Sequence, residues 1–114
     1  MATNLPVGFN DFEGIAKAIV DFKIKLVIVG PEEPLVNGVV DYLKAQPELA
    51  RVKIVGPDRL GAQLEGSKDF SKNFMAKYGI PTAASQTFTS ETLDQGLNYL
   101  STHSLPIVLK ADGL

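Results

Sequence analysis

Apolar positions in the first half of the chain follow two different periods. From residue 11 to residue 22 they recur at helical spacing, and Asn10 or Asp11 is available to cap that helix. A short unbroken run, Leu26–Val29, has the β-branched character of a strand, and Val52–Val55 is the next predicted strand. Unbroken apolar runs are typical of parallel strands that are covered on both faces, so we expect a buried sheet.

A Gly-Pro pair ends each of the two predicted strands. The first pair is followed by a helical pattern from Pro34 to about Ala45, and the second by a shorter pattern that ends near Leu64. Strand, turn and helix repeated in this order are typical of βαβ units. The pattern therefore predicts an α/β fold with a doubly wound, Rossmann-like sheet.

A further helix is predicted to begin at Ser67, whose hydroxyl can cap it. Gly66 interrupts the segment before this helix, and Gly79 suits the left-handed position that follows a helix. Pro81 prevents the helix from continuing, so we expect it to end at Tyr78.

Two lysines and two phenylalanines lie on roughly opposite faces of this predicted helix. Lys68 and Lys72 are one turn apart, as are Phe70 and Phe74. If the aromatic rings are buried, the ammonium groups point outward, and most outward lysines are simply solvated. The spacing alone does not distinguish a solvated lysine from one that meets a ligand.

The last part of the chain predicts a strand, a helix and a second strand. Residues 85–88 favour a short strand, Ser90 can cap a helix that ends near His103, and residues 106–110 form an apolar run. Lys110 closes that run directly before Ala-Asp-Gly. An ammonium group at the carboxyl end of a strand can reach a phosphate, although a strand-end lysine without a ligand fits the pattern equally well.

Composition excludes several classes of function. The 114 residues are 45% apolar with a formal net charge of −2, which suits one globular domain and provides no basic field for nucleic acid. The absence of cysteine and the single histidine, His103, exclude a thiolate metal site and argue against a histidine site. No apolar run could span a bilayer and no secretion signal is visible, so we expect a cytoplasmic protein without a membrane partner.

The segment Gly30-Pro31-Glu32 leaves the carboxyl end of the first predicted strand, where open α/β sheets bind ligands. Glu32 is placed to hydrogen-bond a sugar or an amine there. The simpler interpretation is that Gly-Pro turns the chain and that Glu32 and Glu33 favour the positive end of the next helix. The sequence has neither a Gly-x-Gly-x-x-Gly nor a Walker A motif, which excludes the ordinary dinucleotide and P-loop sites.

Four segments stand in collinear order along nearly the whole chain. They are residues 29–36 (VGPEEPLV), 61–68 (GAQLEGSK), 79–83 (GIPTA) and 105–114 (LPIVLKADGL). Together they resemble the phosphoribosylamine-glycine ligase family, also called glycinamide ribonucleotide synthetases, of the ATP-grasp superfamily. Four motifs in the right order are far more specific than any one of them.

The resemblance implies an ATP-dependent ligase of de novo purine biosynthesis that joins glycine to phosphoribosylamine. The reaction would pass through glycyl phosphate, release ADP and phosphate, and use Mg²⁺ or Mn²⁺. The implied ATP site includes Lys68 and Lys110, with Asp112 and Gly113 as the turn after the second lysine. The implied contact with phosphoribosylamine comes from Gly30, Pro31 and Glu32. The resemblance assigns no catalytic side chain and no metal ligand to this chain.

The resemblance also predicts two domains. Residues 1–64 would be the later part of a Rossmann-like, pre-ATP-grasp domain, and residues 65–114 the connector helix and the beginning of the ATP-grasp domain. Compared with the family pattern, the chain lacks the first strand with its glycine-rich turn and everything after Leu114, including the acidic metal ligands. We therefore expect an internal fragment that is inactive alone and that self-associates through its uncovered surfaces.

Two alternatives remain open. Another ATP-grasp ligase, acting on a different carboxylate and amine, would use Lys68 and Lys110 equally well. A non-catalytic scaffold or binding fragment would keep the fold without an active centre. The Gly-Pro-Glu-x-Pro-Leu-Val and Leu-Glu-Gly-Ser-Lys strings favour the phosphoribosylamine-glycine ligase family.

Overall fold

The structure is a computed structural model that describes residues 2–113. These residues form two compact units, which we call the N-terminal unit (residues 2–66) and the C-terminal unit (residues 67–113). Among the described residues, no helix is both long and apolar enough to cross a membrane. The mixture of helices with a parallel sheet confirms the α/β prediction.

The N-terminal unit contains four helices and two strands. In chain order they are α1 (Phe12–Asp21), β1 (Leu26–Ile28), α2 (Glu32–Asn37), α3 (Val39–Lys44), β2 (Lys53–Val55) and α4 (Arg59–Gly66), with a 3-10 turn at Pro47–Leu49 before β2. The two strands are parallel, with Leu26 paired to Lys53 and Ile28 paired to Val55. Asp11 caps α1 by accepting a hydrogen bond from the Gly14 amide at 2.9 Å.

The core of the N-terminal unit is built around α3. Val39, Val40 and Leu43 are fully buried. The other buried apolar residues of this core are Ala16, Ile19, Leu35, Leu49 and Ala62. Burying a side chain of the size of valine or leucine contributes roughly 1.5–3 kcal/mol, so α3 is the main source of stability in this unit.

The sheet is covered on one face only, and the prediction of strands buried on both faces is wrong. Val27 and Ile54 pack against the core, whereas Leu26, Ile28 and Val55 are 51%, 70% and 53% exposed. Alternate residues of a strand point to opposite faces, so the apolar run supplies side chains to both faces. Within residues 2–113 the helices of the core cover only the face that carries Val27 and Ile54.

The single helix predicted from Pro34 to Ala45 is also wrong, because the chain forms two helices that meet at Gly38. Gly38 has φ +95, a left-handed conformation that residues with a Cβ rarely adopt. The first of the two helices begins at Glu32, which makes Pro34 its third residue. Proline is tolerated there because the first four amides of a helix have no partner within it.

Gly66 is the last residue of α4, and close packing explains its identity. A Cβ at this position would lie 2.6 Å from Cγ2 of Val36 on α2. The sequence interpretation of Gly66 as a break in the preceding helix therefore missed the physical constraint, which is the close approach of α2 to α4.

The C-terminal unit contains α5 (Lys68–Lys77), a 3-10 turn at Ser90–Thr92 and α6 (Leu93–Thr102). The predicted start of α5 is confirmed: Ser67 is its N-cap, and its hydroxyl accepts a hydrogen bond from the Phe70 amide at 3.1 Å. The predicted end is confirmed as well. Gly79 has φ +65, and the Ile80 amide donates to the Met75 carbonyl at 2.9 Å, as in a Schellman motif.

The strands predicted at residues 85–88 and 106–110 do not form within the described residues. A strand needs a neighbour for its backbone hydrogen bonds, and neither segment has such a neighbour in residues 2–113. The predicted end of α6 near His103 is confirmed. The prediction that Ser90 caps this helix is wrong, because Ser90 begins the 3-10 turn that precedes α6 and the N-cap of α6 is Thr92. Thr89 is the N-cap of the 3-10 turn, and its amide donates to Oγ1 of Thr92 at 2.8 Å.

Candidate functional site

The beginning of α5 forms a polar cluster with the turn at residues 112 and 113. The Asp112 carboxylate accepts hydrogen bonds from the amides of Lys68 and Asp69 through Oδ1, and from the hydroxyl of Ser67 through Oδ2. These residues all belong to the C-terminal unit. Ser67, Lys68, Asp112 and the neighbouring Gly113 are called the α5 cluster below.

The electrostatics of the α5 cluster stabilise a negative charge on Asp112. The Ser67 hydroxyl and the amides of Lys68, Asp69 and Gly113 hold the pKa of the Asp112 carboxyl below its ordinary value, although partial desolvation acts in the opposite direction. Unpaired amides give the first turn of a helix a partial positive charge, which adds to the attraction. Asp112 is therefore a carboxylate cap on α5.

The side chain of Lys68 reaches the same turn. Its Nζ donates a hydrogen bond to the carbonyl oxygen of Gly113 at 3.2 Å, and the residue is exposed. The structure thus joins three of the four residues that the resemblance assigned to an ATP site: Lys68, Asp112 and Gly113. An exposed ammonium group bonded to a neutral carbonyl is available to a phosphate ligand, because phosphate is the stronger acceptor.

Lys110, the fourth residue of the implied ATP site, lies apart from these contacts. It is exposed, and its ammonium group makes no hydrogen bond or ion pair with another described residue. Because residues 106–110 do not form a strand in the described part of the chain, no sheet fixes the direction of this side chain.

The interpretation of Lys72 as a solvated lysine is wrong. The residue is half-buried, and its Nζ donates to Oγ1 of Thr82 and to the carbonyl of Ala83, both at 2.8 Å. These bonds tie the chain that leaves α5 back onto the helix. The opposite face is not fully buried either, since Phe70 and Phe74 are only half-buried.

Sequence reasoning missed Asp69 as a structural residue. Its Oδ1 accepts from Oγ1 of Thr87 at 2.7 Å, and its Oδ2 accepts from Nδ2 of Asn73 at 3.0 Å. The bond to Asn73 follows the helical i,i+4 spacing and was detectable from sequence. The bond to Thr87 spans 18 residues and left no local signal.

The segment Gly30-Pro31-Glu32 lies in the N-terminal unit, between β1 and α2. Gly30 and Pro31 line a small cavity of about 160 Å³, while Glu32 is the first residue of α2 and lies outside the lining. The other residues of the lining are Phe9, Ile15, Val27, Ile28, Val29, Pro34, Val39 and Leu43. The lining is apolar, and its volume is smaller than the roughly 300–1,000 Å³ typical of small-molecule sites.

The polar contacts near this segment belong to Glu33 rather than to Glu32. Asn10 donates from Nδ2 to Oε1 of Glu33 at 2.7 Å, and Asn37 donates from Nδ2 to Oδ1 of Asn10 at 3.1 Å. Asn10 therefore bridges two residues one turn apart on α2 and fixes the chain before α1. The sequence suggested Asn10 only as an alternative cap.

The described residues do not form a metal site built from protein side chains alone. Within residues 2–113, no three or more histidine, cysteine or carboxylate side chains gather in a way that could hold a metal ion. The chemistry of the α5 cluster fits a polyphosphate better, since Lys68 provides an exposed ammonium group.

Comparisons with known proteins identify the family. Residues 1–65 match the family profile described as phosphoribosylglycinamide synthetase, N domain, and residues 66–114 match the profile described as phosphoribosylglycinamide synthetase, ATP-grasp (A) domain. Together the two matches cover the chain.

Similar proteins of bacteria are named phosphoribosylamine-glycine ligase. The one from Escherichia coli K12 is 48% identical over 111 residues, which are 97% of this chain and 24% of the relative. The one from Haemophilus influenzae is 47% identical over the same shares, and the one from Listeria monocytogenes EGD-e is 52% identical over 84% of this chain and 22% of its own length. The chain thus spans about a quarter of the length of these curated relatives.

These matches confirm the resemblance that the four collinear motifs indicated. The matched segment corresponds to a part of the relatives and includes both an N domain and the beginning of an ATP-grasp domain. The chain belongs to the phosphoribosylglycinamide synthetase family.

Proposed function

We propose that this chain is part of an ATP-dependent ligase that joins glycine to phosphoribosylamine and forms glycinamide ribonucleotide in de novo purine biosynthesis. The observation that carries the proposal is the unbroken match of the chain to two consecutive domains of one ligase family. Relatives that are 47–52% identical bear the name of that ligase. The 114-residue chain alone is proposed to be inactive, since it spans only about a quarter of those relatives.

The proposed reaction has two steps. A glycine carboxylate oxygen attacks the γ-phosphorus of ATP, ADP leaves, and glycyl phosphate forms. The amino group of phosphoribosylamine then attacks the acyl carbon, phosphate leaves, and the amine loses a proton. Such chemistry depends mainly on positioning and on neutralising phosphate charge, which is the role that lysines can fill.

We assign the nucleotide side of the reaction to Lys68 and Lys110, together with the turn formed by Asp112 and Gly113 after the second lysine. The support from the structure is that Lys68, Asp112 and Gly113 are hydrogen-bonded to one another and that both ammonium groups are exposed. A member of this family needs a divalent metal with its ATP. Because no three or more metal-ligating side chains gather within residues 2–113, we assign no ligand of Mg²⁺ or Mn²⁺ to this part of the chain.

We assign the phosphoribosylamine side to Gly30, Pro31 and Glu32. The position of this segment at the carboxyl end of β1 supports the assignment, because ligands of open α/β sheets bind there. The exposed carboxylate of Glu32 is free of hydrogen bonds to other described residues and suits a ribose hydroxyl or an amine.

The proposed domains are a partial Rossmann-like domain at residues 1–64 and a connector helix with the beginning of an ATP-grasp domain at residues 65–114. Two observations support a boundary in this region. The family matches change over between residues 65 and 66, and the compact units change over between Gly66 and Ser67.

We also propose that the isolated chain self-associates and that it binds neither nucleic acid nor membrane. The ligase to which it belongs is proposed to act in the cytoplasm, where ATP and the other proposed substrates are available. In the N-terminal unit, Leu26, Ile28 and Val55 expose one apolar face of the sheet. In the C-terminal unit, Leu105, Val108 and Leu109, which lie outside the helices, are exposed. Light scattering should detect oligomers at high concentration, and a strictly monomeric chain would contradict this proposal.

A chimaeric ligase tests the proposed function. In it, this chain replaces the matching segment of the Escherichia coli K12 relative, and glycine-dependent release of ADP is measured with and without phosphoribosylamine. We expect turnover that requires both glycine and phosphoribosylamine.

The matched controls are the unmodified relative and the 114-residue chain alone. A chimaeric ligase that is folded by circular dichroism but inactive would contradict the proposed function and favour the scaffold alternative. Turnover with a carboxylate other than glycine would favour another ATP-grasp ligase.

A further inference from the structure

We propose that Asp112 is a positioning residue, which holds the first turn of α5 so that Lys68 presents its ammonium group to the nucleotide without Asp112 touching the nucleotide itself. The inference rests on the proposed function, because it concerns the same ATP site. It differs from the sequence-based assignment, in which Asp112 was part of the nucleotide contact.

Both carboxylate oxygens of Asp112 are engaged by donors of the protein. Oδ1 accepts from the amides of Lys68 and Asp69, and Oδ2 accepts from the hydroxyl of Ser67 at 2.9 Å. The pKa of the carboxyl is lowered by these bonds, so the group is negative at neutral pH. A carboxylate in this state repels the triphosphate, which disfavours direct contact with the nucleotide.

Asp112 also fixes the orientation of the Ser67 hydroxyl. That hydroxyl donates to Asp112 and accepts from the Phe70 amide at 3.1 Å. A hydroxyl has one hydrogen, so donation to Asp112 leaves its lone pair directed at the amide. The carboxylate thereby stabilises the cap from outside the helix.

Lys68 is held at both ends by the turn at residues 112 and 113. Its amide donates to Asp112, and its Nζ donates to the carbonyl of Gly113 at 3.2 Å. Restricting a flexible lysine before it binds a ligand reduces the rotamer entropy that binding must remove. The turn therefore preorganises the exposed ammonium group.

Gly113 enables this turn by its conformation. It has φ +93, and a Cβ at this position would meet no atom within 4 Å. Glycine is favoured here by the left-handed backbone rather than by crowding. Lys68 and Asp112 are 44 residues apart in sequence, so a backbone turn next to Asp112 is needed to bring the carboxylate and the carbonyl to one lysine.

The test measures KM for ATP and kcat in the chimaeric ligase with Asp112→Ala, Asp112→Asn and the matched control Asp94→Ala. Asn keeps an oxygen for the two amides and is as good a helix cap as Asp. We expect Asp112→Ala to raise KM for ATP about tenfold, as a displaced contact does. We expect Asp112→Asn and Asp94→Ala to stay within about threefold of the unmodified chimaera.

A double variant separates positioning from direct contact. In the Lys68→Ala background, Asp112→Ala should change KM for ATP less than about twofold, because the residue on which it acts is gone. The inference would be overturned if Asp112→Asn raised KM for ATP as much as Asp112→Ala does, or if Asp112→Ala still raised KM in the Lys68→Ala background. Either result would leave the proposed function standing. Loss of activity in the unmodified chimaera would instead count against the proposed function itself.

Ser67→Ala keeps the inference testable if Asp112→Ala does not fold. This variant removes the hydroxyl that donates to Asp112 and accepts from the Phe70 amide, and it leaves the hydrogen bonds from the amides of Lys68 and Asp69. We expect a rise in KM for ATP that is smaller than tenfold, with kcat unchanged. No change in KM would contradict the proposed route through the Ser67 cap.

Discussion

The two units of this chain are stabilised in different ways. The N-terminal unit has an apolar core in which Val39, Val40 and Leu43 are fully buried. In the C-terminal unit no large apolar side chain is fully buried, and α5 has no buried residue at all. Hydrogen bonds of exposed or half-buried side chains connect its segments instead, and each such bond contributes only about 0.5–1.5 kcal/mol.

The two units differ in the interactions that stabilise them, and the proposed nucleotide residues lie in the unit that depends on polar contacts. The N-terminal unit retains its architecture through hydrophobic burial, which is insensitive to pH. The C-terminal unit, which carries Lys68 and Lys110, depends on polar contacts centred on Asp112, Asp69 and Lys72. Residues that must meet a charged ligand cannot be buried in an apolar core, so we expect the unit that carries the proposed nucleotide residues to be the less stable one.

The largest effect is expected from Leu43→Ala in the N-terminal unit. The substitution leaves a cavity in the core, so it should lower the free energy of unfolding by about 2–5 kcal/mol. The matched change in the C-terminal unit is Phe74→Ala, which should cost less than about 2 kcal/mol because Phe74 is only half-buried. Denaturant titration, followed through the amide signals of each unit, measures the free energy of unfolding of both variants. An equal loss in the two variants would contradict the proposal that the units are stabilised in different ways.

Gly66→Ala and Gly79→Ala test a second difference between the units, since the two glycines are required for different reasons. Gly66→Ala places a Cβ 2.6 Å from Val36, so overpacking should cost roughly 1–3 kcal/mol. Val36→Ala should recover part of that loss. Gly79→Ala should cost about 1 kcal/mol through its φ of +65 and be recovered by Gly79→Asn, because Asn tolerates this conformation. Thermal unfolding measures these four variants and Gly66→Asn. The packing explanation would be contradicted if Val36→Ala does not restore the stability of Gly66→Ala while Gly66→Asn is tolerated.

Lys72→Ala should destabilise the C-terminal unit by about 1–2 kcal/mol, because the substitution removes the hydrogen bonds of the ammonium group to Thr82 and Ala83. Lys77 is the matched control on the same helix; it is exposed and lies 5.3 Å from the ring of Tyr78. Lys77→Ala should cost about 0.5 kcal/mol. Hydrogen exchange of the amides in residues 79–83 measures the effect. Equal protection from exchange in both variants would show that the hydrogen bonds of Lys72 do not stabilise this segment.

A pH titration isolates Asp112. Its pKa is lower in the folded chain than its ordinary value of 3.8, so its stabilising contribution is present above pH 3.8 and is lost as the pH falls through the folded pKa. The chemical shifts of the Lys68 and Asp69 amides should therefore change with pH below 3.8. This change should disappear in Asp112→Asn. Asp69 carries a second carboxyl in the first turn of α5, so Asp69→Asn serves as the control. A midpoint at or above 3.8 would contradict the hydrogen-bonded carboxylate.

Local features of the fold were predictable from the sequence. The cap at Ser67 and the stop at Gly79 depend on residues within one turn of the helix end, and both are confirmed. The cap of α1 at Asp11 depends on the amide of Gly14, three residues away. Such interactions leave a signal in the order of residues because helix ends have the same unpaired groups everywhere.

Contacts between distant residues were not predictable from one sequence. The strands expected at residues 85–88 and 106–110 need neighbours that local pattern does not supply, and they are absent from the described residues. The bond between Ser67 and Asp112 spans 45 residues, and both side chains also suit several other roles. The resemblance placed both residues in one family motif set, but only the structure shows that the carboxylate caps α5.

The most direct test of this account compares Lys68→Ala with Lys72→Ala in the chimaeric ligase. Lys68→Ala should raise KM for ATP about 10- to 100-fold with little change in thermal stability, because a charged hydrogen bond of about 1.5–3 kcal/mol to phosphate is lost. Lys72→Ala should lower thermal stability and leave KM for ATP within about twofold, since its ammonium group is held by Thr82 and Ala83. A rise in KM for Lys72→Ala together with an unchanged KM for Lys68→Ala would contradict the assignment of Lys68 to the nucleotide.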